Sequence, residues 1–120
     1  MKQLSTQEIV ERSVGKSKFK STYAGLHHLL NNSNKYRMMR ENNTLFLLHI
    51  LDKGVCHMEM LNADPPNVLF RNILGFTKAM RKANYKRLYF NTDNKKLLTF
   101  LQHSGINVKH VSNNKYMVEE

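Results

Sequence analysis

The chain has 120 residues and carries 19 Lys and Arg against 9 Asp and Glu, a formal net charge of +10. With 41% hydrophobic and 23% charged residues it has the make-up of one folded domain, which excludes a disordered or collagen-like chain. No apolar run nears the roughly 18 residues that span a bilayer. Lys2 is followed by no apolar signal segment, and the single cysteine, Cys56, forms no internal disulfide. The expectation is a cytosolic domain held together by its core.

The charge is unevenly placed. Residues 1–40 hold eight basic and two acidic side chains, residues 41–70 one and four, and residues 71–120 ten and three, giving +6, −3 and +7. Such a balance favours polyanionic partners (nucleic acid, a phosphorylated cofactor or an acidic protein surface) alongside the plainer reading that it keeps the chain soluble.

Ser5-Thr6-Gln7-Glu8 is a capping box and predicts a helix over 6–13 that ends near Gly15. The stretch from Gly15 to Ser21 reads as a basic loop. Phe19, Tyr23, Leu26 and Leu30 recur at helical spacing and predict a second helix over 19–31, stopped by Asn31-Asn32-Ser33-Asn34. Residues 1–18 therefore read as a capped helix and basic loop ahead of a domain over 19–120.

A weak strand over 35–40 follows, then the turn Glu41-Asn42-Asn43 and two stronger strands over 44–51 and 54–61. Asp52-Lys53-Gly54 suits a three-residue hairpin with Gly54 left-handed. That hairpin sets Leu51 opposite Val55, His49 opposite His57 and Leu47 opposite Glu59. Phe46, Leu48, Ile50, Cys56, Met58 and Met60 then form an apolar face that must lie under helices, and the other face is expected on the exposed side.

After Asp64-Pro65-Pro66, the spacing of Leu69, Ile73, Phe76 and Met80 predicts a long helix over 66–83. Its other side carries Arg71, Lys78, Arg81 and Lys82. A strand over 86–92 and a helix over 94–103 follow, with Leu97, Leu98 and Leu101 inward and Gly105 as the stop. Residues 106–111 and 115–119 close as a hairpin around Ser112-Asn113-Asn114. The order α-α-β-β-β-α-β-α-β-β describes a single α/β domain with a mixed central sheet flanked by helices.

That order, from about residue 19 to 120, resembles the GNAT superfamily of N-acetyltransferases. The most specific piece runs from Asn94 through Leu101 and Gly105 to Ile106, similar to the family's Asn-x-x-Ala-x-x-x-Tyr-x-x-x-Gly-Phe segment. In size, basicity and this segment the chain is also similar to small, divergent GNAT-like proteins of tailed bacteriophages, some associated with virion assembly. The resemblance implies acetyl-CoA as acyl donor, its pyrophosphate held by backbone N–H groups at the turn before the long helix. Here that turn is Asn62-Ala63-Asp64-Pro65-Pro66-Asn67, without glycine, with two residues lacking an N–H, and with Asp64 expected to face the phosphate site. The family's proton-donating Tyr falls on Leu101.

The expectation is therefore a divergent, catalytically inactive phage protein, in the virion or host cytoplasm, that binds a protein partner and favours no cofactor. Under the alternative of an active N-acyltransferase, the resemblance makes Glu59 the general base and Tyr116, or Tyr89, the substitute acid. Met60, Leu61, Asn62, Asn67, Arg71 and Asn94 would then hold acetyl-CoA. A third reading is a basic nucleic-acid-binding accessory protein, acting through Arg71, Lys78, Arg81, Lys82, Lys86 and Arg87. No aromatic stacking motif, zinc spacing or helix-turn-helix accompanies those residues, so contact would be non-specific.

Three smaller candidates complete the reading. His49, His57 and Glu59 on one face are a donor set for a divalent metal, set against the plainer mixed polar face, which is preferred. His27 and His28 are helical neighbours that point apart. Cys56, with no base placed for it, reads as a small core residue.

Overall fold

A computed structural model describes residues 3–119. The elements are α1 (Thr6–Val14), α2 (Lys16–Asn32), β1 (Tyr36–Glu41), β2 (Thr44–Asp52), β3 (Val55–Asn62), α3 (Pro66–Lys82), β4 (Arg87–Asn91), α4 (Lys95–His103), β5 (Val108–Ser112) and β6 (Lys115–Glu119), the order read from the sequence. The six strands form one sheet in the order β1-β2-β3-β4-β6-β5. Only β3 and β4 pair in parallel, because α3 carries the chain back across the sheet between them; the other neighbours are antiparallel.

The main core lies under α3 and α4, as the apolar stripe of the long helix requires. Phe46, Leu48, Cys56, Met58, Ile73, Phe76 and Met80 are buried together, with Leu88, Phe90, Leu97 and Leu101 completing the cluster. The Phe46 and Phe76 rings stack with centroids 4.1 Å apart, which fixes α3 over β2. Cys56 belongs to this core, and burial pushes its thiol pKa from 9.0 up to about 11.

The opposite sheet face is covered at one end only: Glu59 is exposed and His49 and His57 are half-buried, as expected, but the end at Leu45 and Leu61 lies under α1 and α2. Leu45 on β2 meets Leu4, Ile9 and Val10 in a second buried cluster, with Phe19, Tyr23, Met38 and Leu61 packed around it. The Ser5 hydroxyl and Glu8 carboxylate exchange hydrogen bonds with each other's backbone N–H, so the capping box orients α1 onto the sheet. The basic stretch after Gly15 is also not a loop. Gly15, at φ 87, makes a single-residue break, and α2 begins at once with Lys16. Lysines are good helix formers, and Lys16, Lys18 and Lys20 stay in water while Phe19 and Tyr23 reach the second core.

The β2–β3 hairpin has Gly54 left-handed at φ 73, His49 opposite His57 and Leu47 opposite Glu59, as its sequence implies. The last pair differs: Asp52, not Leu51, faces Val55, and the ladder shifts register between Ile50 and Asp52. Leu51 is bulged out and 53% exposed.

Candidate functional site

The site begins where the two parallel strands part. β3 and β4 pair only over Val55–His57 against Arg87–Tyr89, and β3 then runs on to Asn62 without β4 beside it. The wedge so formed is a cleft of about 430 Å³ lined by His57, Met58, Glu59, Met60, Phe90 and Asn91. At its apex a His57 ring nitrogen lies 2.9 Å from the Asn91 amide oxygen, and the Asn91 amide donates to the Asn114 side chain at 3.0 Å. Glu59 is exposed on the wedge wall, facing Leu47 across the β2–β3 ladder.

A second cleft, of about 160 Å³, lies on the outer sheet face under α2 and is lined by Leu29, Tyr36, Leu47, His49, His57 and Glu59. His57 and Glu59 line both clefts, so the two meet at those side chains. Tyr36 stacks on His49 with centroids 4.5 Å apart, which commits that histidine to a ring contact. Among the described residues no group of three or more His, Cys, Asp or Glu is placed to hold a metal ion.

The turn from β3 into α3 is closed by its own hydrogen bonds. The Asn62 N–H donates to the Ser13 hydroxyl at 3.1 Å, the Ala63 N–H to the Asn43 carbonyl at 3.0 Å, and the Asp64 N–H to the Asn62 side chain at 2.9 Å. Pro65 and Pro66 have no N–H, and Val68 and Leu69 donate to the Pro65 carbonyl. Among the described residues the Asn67 N–H is left as the one backbone donor of this turn without a partner.

Asp64 does not face outward, which corrects the expectation that it lies against a phosphate. It is buried, and its Oδ2 accepts the Asn43 N–H at 2.9 Å and the Asn72 side-chain amide at 2.7 Å. Asn72 also donates to Thr44, whose hydroxyl donates to Asn62, so the carboxylate anchors a network joining the β1–β2 turn, β3 and α3. A buried carboxylate needs such donors, and it finds them only by turning inward.

The other sequence candidates are dispersed. Met60 lines the wedge, while Leu61 packs into the second core. Asn62 spends its side chain on Thr44 and Asp64. Asn67 is exposed at the start of α3, and Arg71 is exposed one turn on, its Nε 3.5 Å from the Asn67 carbonyl. Asn94 caps α4, its side-chain oxygen accepting the Leu97 N–H at 3.2 Å. Tyr116 sits on β6 opposite Phe90, its ring 6.1 Å from that of Phe90 and 5.1 Å from that of His110, and is not among the wedge residues. Leu101 is buried in the main core. The wedge itself left no mark in the sequence, since it depends on where strand pairing stops.

Solved structures with this architecture include Campylobacter jejuni N-acetyltransferase PseH, at TM-score 0.63 and 14% identity over 96% of this chain and 89% of that one. PseH in complex with acetyl coenzyme A aligns at TM-score 0.55 and 14% identity, over 96% and 90%. The PaiA N-acetyltransferase of Thermoplasma acidophilum in complex with coenzyme A aligns at TM-score 0.52 and 10% identity, over 95% and 89%. No protein-family model matches the chain, and no curated protein matches it by sequence. The chain has a GNAT-like acetyltransferase fold.

Proposed function

We propose that this chain is a GNAT-fold protein that keeps the strand wedge but lacks a working pyrophosphate cradle, and so acts by binding rather than by acetyl transfer. The observation that carries the reading is the committed turn: Asn62, Ala63 and Asp64 each spend their N–H inside the protein, and Pro65 and Pro66 have none. Desolvating phosphate oxygens without replacing their hydrogen bonds costs on the order of 1–3 kcal/mol per unmet group. Each 1.4 kcal/mol is about tenfold in affinity, so a micromolar cofactor would move toward millimolar. A binding role fits a partner protein in a particle or its assembly. The test is calorimetric titration with acetyl-CoA at physiological salt. Binding near millimolar is expected; a dissociation constant at or below about 10 µM, with acetylation of an amine acceptor, overturns the reading.

One observation favours the alternative of an acetyl-CoA-dependent N-acyltransferase. The wedge opens beside exposed Glu59, where a general base would stand, and the acetyl-CoA and coenzyme A complexes among the similar structures share this fold. In that alternative Glu59 takes the proton of the acceptor amine and unpaired N–H groups of β3 polarise the thioester carbonyl. Glu59→Gln would then abolish turnover with little effect on folding.

A further inference from the structure

A cleft of about 410 Å³, with a lining distinct from that of the wedge, lies between β1, β2 and the C-terminal end of α3. It is lined by Arg37, Met39, Leu48, Met80, Ala83 and Tyr85, with the backbone edge of β1 at its mouth. The floor is apolar, because Leu48 and Met80 are buried members of the main core and Met39 packs against it. Tyr85 is half-buried and forms one wall; it also borders the small hollow beneath Arg81 and Lys86. The cleft and the cations therefore adjoin at one ring.

Backbone hydrogen bonds draw together the Lys53 turn, the loop at Lys86 and the end of α3, and Arg37 of β1 joins them as a lining residue of the cleft. The Lys86 and Arg87 N–H groups both donate to the Gly54 carbonyl, at 2.7 and 3.1 Å, which sets the Lys53 turn beside β4. The Tyr85 N–H donates to the Met80 carbonyl at 3.1 Å and the Asn84 N–H to that of Arg81 at 3.0 Å, folding the loop back onto the end of α3. Arg37, Arg81, Lys82 and Lys86 are exposed and, among the described residues, have no acid partner. Arg87 shares Glu119 with Lys109, at 3.5 and 3.1 Å. Glu41 stands at the opposite end of β1 from Arg37, and Asp52 is the last residue of β2. Basic residues at a helix C-terminus also complement its dipole, which accounts for Arg81 and Lys82 but not for Arg37, Lys53 or Lys86.

We propose that this cleft and its rim bind single-stranded nucleic acid, with an unstacked base against Tyr85 on the apolar floor and backbone phosphates on Arg37, Arg81, Lys82 and Lys86. Charge complementarity selects a polyanion. The apolar, ring-walled recess selects one that can present a flat, unpaired base, which a duplex cannot do. Contact is sequence-tolerant, because every base has a face to stack and no edge-reading set of side chains lines the recess. The inference does not depend on whether acetyl-CoA binds in the wedge.

The test is fluorescence anisotropy with a labelled oligothymidine, the same length of duplex DNA, and polyglutamate as competitor, across a salt series. Tight binding of the single strand at low salt is expected, with log affinity falling by about 0.7 per contacted phosphate per log unit of salt. Tyr85→Ala should weaken binding about 5- to 150-fold, the range for removal of one stacked base, and Tyr85→Phe should leave it unchanged. Lys82→Glu with Lys86→Glu should flatten the salt slope, whereas Lys16→Glu with Lys18→Glu, the same charge change on α2, should not. Equal losses from the two charge reversals would overturn the proposal, as would duplex binding as tight as the single strand. Displacement by polyglutamate at equal charge would assign the surface to an acidic protein instead, and absence of binding at low salt would end the inference.

Discussion

Two stretches of one segment, the wedge beside residues 58–60 and the turn over 62–67, are treated in opposite ways. At the wedge β3 runs on without its parallel neighbour, and a cleft opens. A few residues later the turn is closed by Ser13, Asn43, Asn62 and Asn72, and its N–H groups other than that of Asn67 are spent on partners within the protein. Under the acyl-transfer alternative proposed above, the first stretch would hold the thioester and the second the pyrophosphate. The difference teaches that a cleft between strands follows from sheet topology, while the number of free N–H groups in a turn depends on the side chains and prolines placed around it.

The largest test removes the support common to both stretches. Phe76→Ala takes away the ring stacked on Phe46 and should cost about 3–5 kcal/mol in urea unfolding. A loss under about 1 kcal/mol would mean that α3 is not seated where both wedge and turn require it.

Next comes the sealed turn itself. Asp64→Ala strands the Asn43 N–H and the Asn72 amide and should cost about 1–3 kcal/mol. If the carboxylate instead faced water, stability would barely change. Restoring donors sharpens the comparison further. Pro65→Gly with Pro66→Gly returns two N–H groups to the turn and should tighten acetyl-CoA binding by at least about tenfold, or 1.4 kcal/mol. Unchanged affinity would locate the cofactor barrier outside this turn.

The smallest effect at neutral pH belongs to Cys56, on the part of β3 still paired to β4 opposite Leu88. Its thiol is raised to about 11 from 9.0, so the folded state holds the proton that the unfolded chain releases first. The resulting stabilisation is complete below about pH 9 and is lost as pH rises toward 11, by up to about 1.4 kcal/mol per pH unit. At pH 7 a thiol reagent should react only on unfolding. Prompt labelling of the native protein would mean that the wedge reaches deeper along β3 than Cys56.

Much of the fold was legible because it is written in short-range pattern. The capping box at Ser5 and Glu8, the helical stripe from Leu69 to Met80 and the alternation from Phe46 to Met60 each name an element and its buried face. The Asn94-to-Ile106 segment carried the family resemblance, and the similar acetyltransferase structures bear that fold out. The misreadings had local causes. A run of lysines hides a helix whose apolar residues lie a turn apart, and a hairpin's register can shift at one bulged residue such as Leu51.

Sequence alone thus determined the order of elements, the main core and the net positive charge, since each depends on residue type and on spacing within one or two turns. Tertiary structure alone decided which way Asp64 points, where β3 and β4 separate, and that Tyr85 lines one cleft with Arg37 and another with Lys86. Asp64 meets partners 21 and 8 residues away, and the cleft by Tyr85 joins β1 to the end of α3. Such juxtapositions arise only when a sheet brings distant segments into register, because hydrogen-bond donors and cleft walls are matched in space and not along the chain.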